Sequence, residues 1–223
     1  MISADTEKIM LGELKTATTS IEFKEKTYEI TGLIDLNEVP LLIADFHCFL
    51  DETSWPIFGK VWPSAIVLAE YLVGRELTKG RILEIGCGLG FPSLILKKKG
   101  EDITASDGNP YAEKFLKLNC LQNNLEMPKF LIVDWTQTQT EIKYDLIVGS
   151  DIIYERTHPA ELASFLSETL AEWGKVILCD PNRSLFQKLK MAMKVKGFSC
   201  VQEEVLNTLA VGKAFKILTF IRA

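Results

Sequence analysis

The 223-residue sequence predicts an α/β fold, namely a doubly wound, mostly parallel seven-stranded sheet with helices on both faces and an antiparallel last strand. From about residue 60 onward, short apolar and β-branched runs alternate with segments of helical periodicity, which is typical of a parallel sheet built from βαβ units. The last two strand-like segments are joined by a short connection that predicts a hairpin, and hairpin strands run antiparallel. We expect one domain over 1–223, with a short N-terminal β extension (1–58) and an α/β core (59–223).

The N-terminal extension contains two strand-like patterns. The segment "SIEFKEKTYEITGLI" (20–34) alternates around charged residues and predicts a hairpin. The segment "PLLIADFHCFL" (40–50) is more apolar and predicts a buried strand.

The core elements follow from helix signals and apolar strand runs. The segment "WPSAIVLAEYLV" (62–73) predicts a helix, because its apolar residues recur at helical spacing and Pro63 lies in its first turn. The segment "FPSLILKKKG" (91–100) has a proline early and a glycine at its end, and also predicts a helix. The other predicted helices span 110–124, 159–171 and 184–197. The predicted strands span 81–85, 102–107, 129–135, 144–151, 174–180, 198–205 and 214–222.

The segment "RILEIGCGLGFPSLIL" (81–96) carries the strongest signal for a ligand site. Three alternating glycines follow a strand and precede a helix, more than a tight turn alone requires. Ligands of doubly wound sheets bind beyond the carboxyl ends of the strands. A dinucleotide fingerprint, G-x-G-x-x-G, would need glycine at the position of Phe91, because that glycine allows close helix–strand packing. Glu84 would also face the pyrophosphate with like charge.

A phosphate-free cofactor with a cationic group fits the same loop better, and S-adenosylmethionine is such a molecule. Glu84 would lie near its ammonium group, and the glycine amides near its methionine and ribose portions. Asp107, 23 residues later at the next strand end, can accept hydrogen bonds from ribose hydroxyls. Asp134 can accept from the adenine amino group, with Trp135 supplying apolar surface. An NAD-linked oxidoreductase stays the alternative for this loop.

Three segments resemble a known family. The segment "LEIGCGLGFPSL" (83–94) is similar to motif I of the class I, seven-β-strand methyltransferases that use S-adenosylmethionine, and the resemblance extends over about residues 55–222. The segments "GKVWPSAIVLAEYL" (59–72) and "SDIIYE" (150–155) resemble the helix before motif I and the D-x-x-Y signature of the methyltransferase-like protein-lysine methyltransferases. The triplet "VDW" (133–135) matches the end of the third core strand in that group.

The resemblance implies a Rossmann-like methyltransferase fold, S-adenosylmethionine as cofactor and a protein lysine as methyl acceptor. It implies active-site roles for Asp151, which would orient the acceptor amine, and Tyr154, which would pack against its alkyl stem. The implied cofactor-pocket residues are Trp62, Ser64, Glu84, Gly86, Gly88, Asp107, Asp134 and Trp135. Because the first 50 residues match only loosely, a small-molecule N-methyltransferase of the nicotinamide type and a non-catalytic cofactor-binding module stay as alternatives.

Composition and charge indicate which kinds of partner and which cellular location to expect. A net charge of −5 does not favour nucleic acid, and the lysine cluster at 97–99 fits a solvated helix end. The five cysteines form no C-x-x-C pair, so we expect reduced thiols and a cytoplasmic protein. The two histidines, His47 and His158, lack ligand-like spacing, so we expect no metal site. We expect neither a signal peptide nor a membrane span, and favour a monomer.

Two further features allow alternatives. Asp180, in "LCDPNR" (178–183), is either a cap before the helix at 184 or a second active-site carboxylate. The aromatic residues Trp55, Phe58 and Trp62 either pack in the core or form a lid that contacts the substrate.

Overall fold

The computed structural model describes residues 14–34, 57–77, 79–136, 141–208 and 213–223. The predicted strand at 40–50 and Trp55 lie outside these residues. Within them the chain forms a two-stranded hairpin and a seven-stranded sheet. None of the helices in these ranges is long and apolar enough to cross a membrane.

The described elements follow the predicted order. The strands are β1 (Thr16–Phe23), β2 (Lys26–Leu33), β3 (Arg81–Ile85), β4 (Asp102–Asp107), β5 (Lys129–Ile132), β6 (Tyr144–Ser150), β7 (Leu170–Asp180), β8 (Phe198–Thr208) and β9 (Lys213–Arg222). The helices are α1 (Pro63–Val73), α2 (Phe91–Lys99), α3 (Tyr111–Gln122), α4 (His158–Thr169) and α5 (Leu185–Val195), and a 3-10 turn (Ile57–Gly59) precedes α1.

The seven-stranded sheet has the strand order β5-β4-β3-β6-β7-β9-β8. The strands from β3 to β7 pair in parallel, whereas β9 is antiparallel to both β7 and β8. The predicted fold class, with its antiparallel last strand, is therefore confirmed. The strand order reverses at β3, so the carboxyl ends of β3, β4 and β6 meet at the switch point where ligands of such sheets bind.

Helices cover both faces of the sheet. Leu83 and Ile85 point to the side where α4 and α5 pack, whereas Ile82 points to the side of α1 and α2. This alternation is the two-residue period of a strand. Burial of both faces explains why the strands read as nearly continuous apolar runs.

In the seven-stranded sheet, the largest boundary differences concern three strands. Strand β5 ends at Ile132 rather than at residue 135, because the chain turns where Asp134 accepts a hydrogen bond from the amide of Thr136. Strand β7 begins at Leu170 rather than at 174, directly after α4, because Leu170 already pairs with Tyr144. Strand β8 continues to Thr208 because its pairing with β9 continues.

The predicted hairpin at 20–34 is present as β1 and β2, paired antiparallel over their whole length. It packs on the start of α2, where Phe91 is 1% exposed. The ring of Phe91 meets Phe23 and Tyr28 edge-on, at centroid distances of 5.5 and 6.0 Å. The residue that replaces the glycine of a dinucleotide fingerprint therefore anchors the hairpin.

Asn119 of α3 and Asn123, the residue that follows this helix as its C-cap, bind the backbone of β2. The amide of Thr31 donates to Asn119 Oδ1 at 2.8 Å, and Asn119 Nδ2 donates back to Thr31 O at 3.3 Å and to Leu89 O at 3.1 Å. Asn123 makes the equivalent pair with Glu29, at 3.0 and 2.8 Å. Asn119 thus ties the hairpin to the glycine loop that follows β3.

Candidate active site

A cavity of about 620 Å³ opens at the carboxyl ends of β3, β4 and β6. Its size is within the range of small-molecule sites, roughly 300–1,000 Å³. The described residues that line it come from segments 57–65, 86–91, 107–109, 133–136 and 150–161. The predicted glycine loop and the predicted D-x-x-Y segment therefore share one cavity.

The glycine loop uses backbone conformations that side chains disfavour. Gly86 and Gly88 have φ angles of 61° and 54°, in the left-handed region. A Cβ atom on Gly86 would lie 2.5 Å from Cγ2 of Ile152, and one on Gly88 would lie 3.0 Å from the carbonyl oxygen of Phe58. Glycine at these positions lets the backbone pack directly against the loop after β6 and form the cavity wall.

Asp107 ends β4 and braces the glycine loop. Its Oδ2 accepts a hydrogen bond from the amide of Gly88 at 2.8 Å, and its Oδ1 accepts one from the amide of Asn109 at 2.9 Å. Burial raises the pKa of Asp107, and these backbone hydrogen bonds oppose the rise. The carboxylate lines the cavity next to the backbone that it holds.

The segment after β5 forms a second wall. Asp134 Oδ1 accepts hydrogen bonds from the amide and the hydroxyl of Thr136, at 2.8 and 2.7 Å, and this turn presents Trp135 to the cavity. The indole of Trp135 meets the ring of His158 edge-on at 5.1 Å. The ring of Tyr154 also meets the ring of His158 edge-on, at a centroid distance of 4.6 Å.

The residues before α1 close another side of the cavity. Trp62 lines it, with its indole nitrogen donating to the carbonyl of Ile57 at 2.8 Å, and the ammonium of Lys60 lies 5.7 Å from the Trp62 ring. Phe58 also lines it, but is 5% exposed and packs on Phe115 at 5.9 Å. Phe58 therefore belongs to the core and to the cavity wall at once.

Two predicted pocket residues do not line the cavity as the described residues define it. Ser64 is buried beneath it and donates to Asp151 Oδ2 at 2.7 Å. Glu84 is 1% exposed and accepts a hydrogen bond from Ser93 of α2. Burial raises the pKa of Glu84 to about 8, against the effect of Ser93. Its contact with the cofactor stays a prediction.

Asp151 and Tyr154 both line the cavity, on the loop after β6. Asp151 has a φ of 61°, unusual for a residue with a side chain, and its amide donates to the carbonyl of Cys179 at 3.0 Å. The ring of Tyr154 is 45% exposed at the cavity mouth. Partial burial, and then the carboxylates of Asp107 and Glu155, raise the pKa of Tyr154 to about 12, so its phenol is neutral at physiological pH.

Two features of the site were not predicted from the sequence: the ion pairs of Arg183 and the ring contacts of His158 with Trp135 and Tyr154. Arg183 forms ion pairs with Asp151 and Asp180, two carboxylates at the ends of neighbouring strands. Its position three residues after a strand-end aspartate was the available signal. Asp180 is not the N-cap of α5, which is Ser184; its Oδ1 instead accepts the amide of Arg183 at 2.6 Å in the turn before that helix.

The charges of the cavity favour a cationic ligand. The described lining residues include five carboxylates and one lysine, Lys60. A cleft lined mainly by one sign of charge attracts the opposite sign. The carboxylates are Asp107, Asp134, Asp151, Glu155 and Glu161.

Comparisons with known proteins agree with this geometry. A family described as lysine methyltransferase matches residues 48–194. Protein N-lysine methyltransferase METTL21A of Danio rerio is 32% identical over 171 residues, covering 71% of this chain and 77% of that protein. Histone-arginine methyltransferase METTL23 of Mus musculus is 31% identical over 115 residues, covering 48% of this chain and 44% of that protein. The chain spans about half the length of the METTL23 proteins it matches.

Solved structures share the fold at low sequence identity. The T. thermophilus 16S rRNA N2 G1207 methyltransferase (RsmC), solved with AdoMet and guanosine, has a TM-score of 0.65 and 17% identity. The match covers 96% of this chain and 52% of that chain. At this identity the similarity concerns the arrangement of the sheet and helices alone.

Proposed function

The chain belongs to the lysine methyltransferase family, and from this premise we propose that it transfers a methyl group from S-adenosylmethionine to the side-chain amine of a protein lysine. The observation that carries the proposal is one cavity that joins the glycine loop to Asp151 and Tyr154. A donor site and an acceptor site must share such a cavity for direct transfer.

The described residues suit S-adenosylmethionine. The backbone at Gly86 and Gly88 allows close approach, and the carboxylates of Asp107 and Asp134 can accept from hydroxyl and amino groups. Trp135 offers an apolar surface beside Asp134. When bound, the cofactor supplies a methyl group on a sulfonium; a nitrogen–carbon bond forms as the carbon–sulfur bond breaks, and the electron pair stays on sulfur.

The protein's main tasks are to collect a cationic side chain and present its nitrogen in the neutral form. The acidic lining draws in a lysine, whose reference pKa is about 10.4. The ammonium first loses one proton to water, and Asp151 then accepts a hydrogen bond from an N–H of the neutral amine, which directs the lone pair at the methyl group. Tyr154 and His158 form an aromatic wall along which the alkyl stem of the lysine lies.

Arginine is a second candidate acceptor, because several relatives are named histone-arginine methyltransferases. Asp151 already binds a guanidinium, that of Arg183, so the site tolerates this group chemically. Lysine is favoured because the family match and the METTL21A relative both concern lysine and cover about two thirds of this chain or more. A small amine of the nicotinamide type is the alternative outside proteins.

The test is an acceptor assay with radiolabelled S-adenosylmethionine. Purified protein is incubated with a cell lysate, and the label is separated into protein and small-molecule fractions. Acid hydrolysis of the protein fraction then distinguishes methyl-lysine from methylarginine, with Asp151→Asn as the control for transfer at this site. We expect methyl-lysine in the protein fraction. Label only in small molecules would contradict a protein substrate.

Two binding measurements separate the remaining classes. We expect S-adenosylhomocysteine, but not NADH, to raise the melting temperature. Stabilisation by S-adenosylhomocysteine without transfer to any acceptor would indicate a non-catalytic binding module. We also propose a cytoplasmic location, where the four described cysteines, all unpaired, would stay reduced.

A further inference from the structure

Arg183 connects the ends of two neighbouring strands. Its Nη2 binds Asp151 Oδ1 and lies 2.9 Å from Asp180 Oδ2, and its Nε donates to the same Asp180 oxygen at 3.0 Å. Asp180 also accepts the Arg183 amide. Asp180 therefore fixes the plane of the guanidinium, because both the backbone and the side chain of Arg183 bind it.

The carboxylate of Asp151 is fixed at both oxygens. Arg183 binds Oδ1 and Ser64 binds Oδ2, at the end of a loop whose backbone has a left-handed φ of 61°. The Asp151 side chain is 13% exposed, so little water competes for it. A carboxylate held at both oxygens and at its backbone has one orientation, which is what a directed hydrogen bond to an acceptor amine requires.

Arg183 and Ser64 bind the Asp151 carboxylate on the side away from the cavity. Asp151 lines the cavity, whereas Arg183, Asp180 and Ser64 do not, within the part of the chain that the structure describes. Arg183 and Ser64 therefore reach the carboxylate from behind and leave its cavity side for the acceptor. The guanidinium also supplies a positive charge between Asp151 and the almost fully buried Asp180.

We propose that Arg183 is a positioning residue for methyl transfer, acting through Asp151 by holding its carboxylate aimed at the acceptor nitrogen. The inference rests on the proposed function. It predicts that loss of Arg183 slows the transfer step and leaves cofactor binding nearly unchanged, because the groups at the glycine loop are untouched. Misplacement of a reacting group by about 1 Å costs about 100-fold in rate.

The experiment is a double-mutant cycle with four proteins: wild type, Arg183→Gln, Asp151→Asn and the double variant. The readouts are kcat with a methyl acceptor found by the labelling assay, and the Kd of S-adenosylhomocysteine by calorimetry. We expect Arg183→Gln to lower kcat by about 100-fold and to change Kd less than about 2-fold. In the Asp151→Asn background the same change should cost less than about 3-fold, because residues that act through one group are not additive.

Two further variants control for charge and folding. Arg183→Lys keeps the charge but not the planar fork, so we expect it to recover part of the lost kcat. Arg75→Gln removes an arginine paired at 2.9 Å with Glu204, away from the cavity, and should leave kcat unchanged. If Arg183→Gln folds poorly, Asp180→Asn/Arg183→Gln removes the stranded buried carboxylate, and kcat is referred to the folded fraction measured by S-adenosylhomocysteine titration.

The outcomes are distinguishable. Unchanged kcat in Arg183→Gln, or an equal loss with and without Asp151, would overturn the inference while the wild type still transfers methyl groups. A weakened Kd with unchanged kcat would assign Arg183 to the cofactor site instead, and also overturns it. A wild type that transfers no methyl group to any acceptor overturns the proposed function and this inference together.

Discussion

Replacing Asn119 by alanine tests whether the N-terminal hairpin supports the cofactor loop. The side chain is fully buried and binds both backbone groups of Thr31 and the carbonyl of Leu89. Its removal leaves these buried groups without their partner, at about 1–3 kcal/mol for each unsatisfied group. Because water or small shifts replace part of the loss, we expect Asn119→Ala to lower the free energy of unfolding by about 2–4 kcal/mol. For a chain of this size that corresponds to about 4–16 °C in melting temperature.

The matched control is Asn123→Ala. Asn123 binds the backbone of β2 in the same manner, through Glu29, but makes no described contact with the glycine loop. Both variants should lower the melting temperature in scanning fluorimetry. Only Asn119→Ala should also weaken the binding of S-adenosylhomocysteine in calorimetry, by about 5-fold or more, equivalent to about 1 kcal/mol. Equal affinity in the two variants would refute the idea that the hairpin holds the cofactor loop through Asn119.

The other predictions concern the cavity and its surroundings. Gly86→Ala should abolish measurable cofactor binding in calorimetry, because its Cβ would lie 2.5 Å from Ile152 and its φ of 61° disfavours alanine; retained affinity would show that the loop can shift. Because the pKa of Glu84 is raised from 4.5 to about 8, the folded state keeps a proton that the unfolded state has released, so stability should fall as pH rises from about 4.5 to about 8 and level off above that. Glu84→Gln should flatten that pH dependence of the melting temperature, and an unchanged slope would assign it to other groups. Asp151→Ala should lose turnover in the methyl-transfer assay and largely keep cofactor affinity; unchanged turnover would remove Asp151 from the mechanism. Tyr154→Phe keeps the aromatic wall and should lower kcat by less than about 10-fold.

The local parts of the site were predictable because they follow from neighbouring residues. A strand, three glycines and a helix with an early proline predict the turn at 86–90 from neighbouring residues alone. The antiparallel last strand followed from a short connection alone. Glu84 shares the face of Ile82 by the two-residue period, which agrees with its hydrogen bond to Ser93 of α2, but the prediction from the sequence considered only its distance along the chain from the glycine loop.

The contacts between distant segments could not be predicted in the same way. Arg183 and Ser64 are 32 and 87 residues from Asp151, and no sequence period relates them. Asn119 lies in α3 and Asn123 directly follows that helix, four residues later, a spacing that indicates a polar stripe along one side. The spacing does not reveal that a strand backbone lies against the stripe, because that depends on how the hairpin packs on Phe91.

Ile152 connects the two halves of the cavity through its packing. Its side chain fills the space beside Gly86 and Gly149, so the turn that faces the donor and the loop that carries the acceptor carboxylate touch through one aliphatic group. Any coupling between the two sites through this contact must be reciprocal. By thermodynamic linkage, if bound donor changes the affinity for the acceptor by some factor, bound acceptor changes the affinity for the donor by the same factor. Substitutions at this isoleucine should therefore change the order and cooperativity of ligand binding before they change the chemistry.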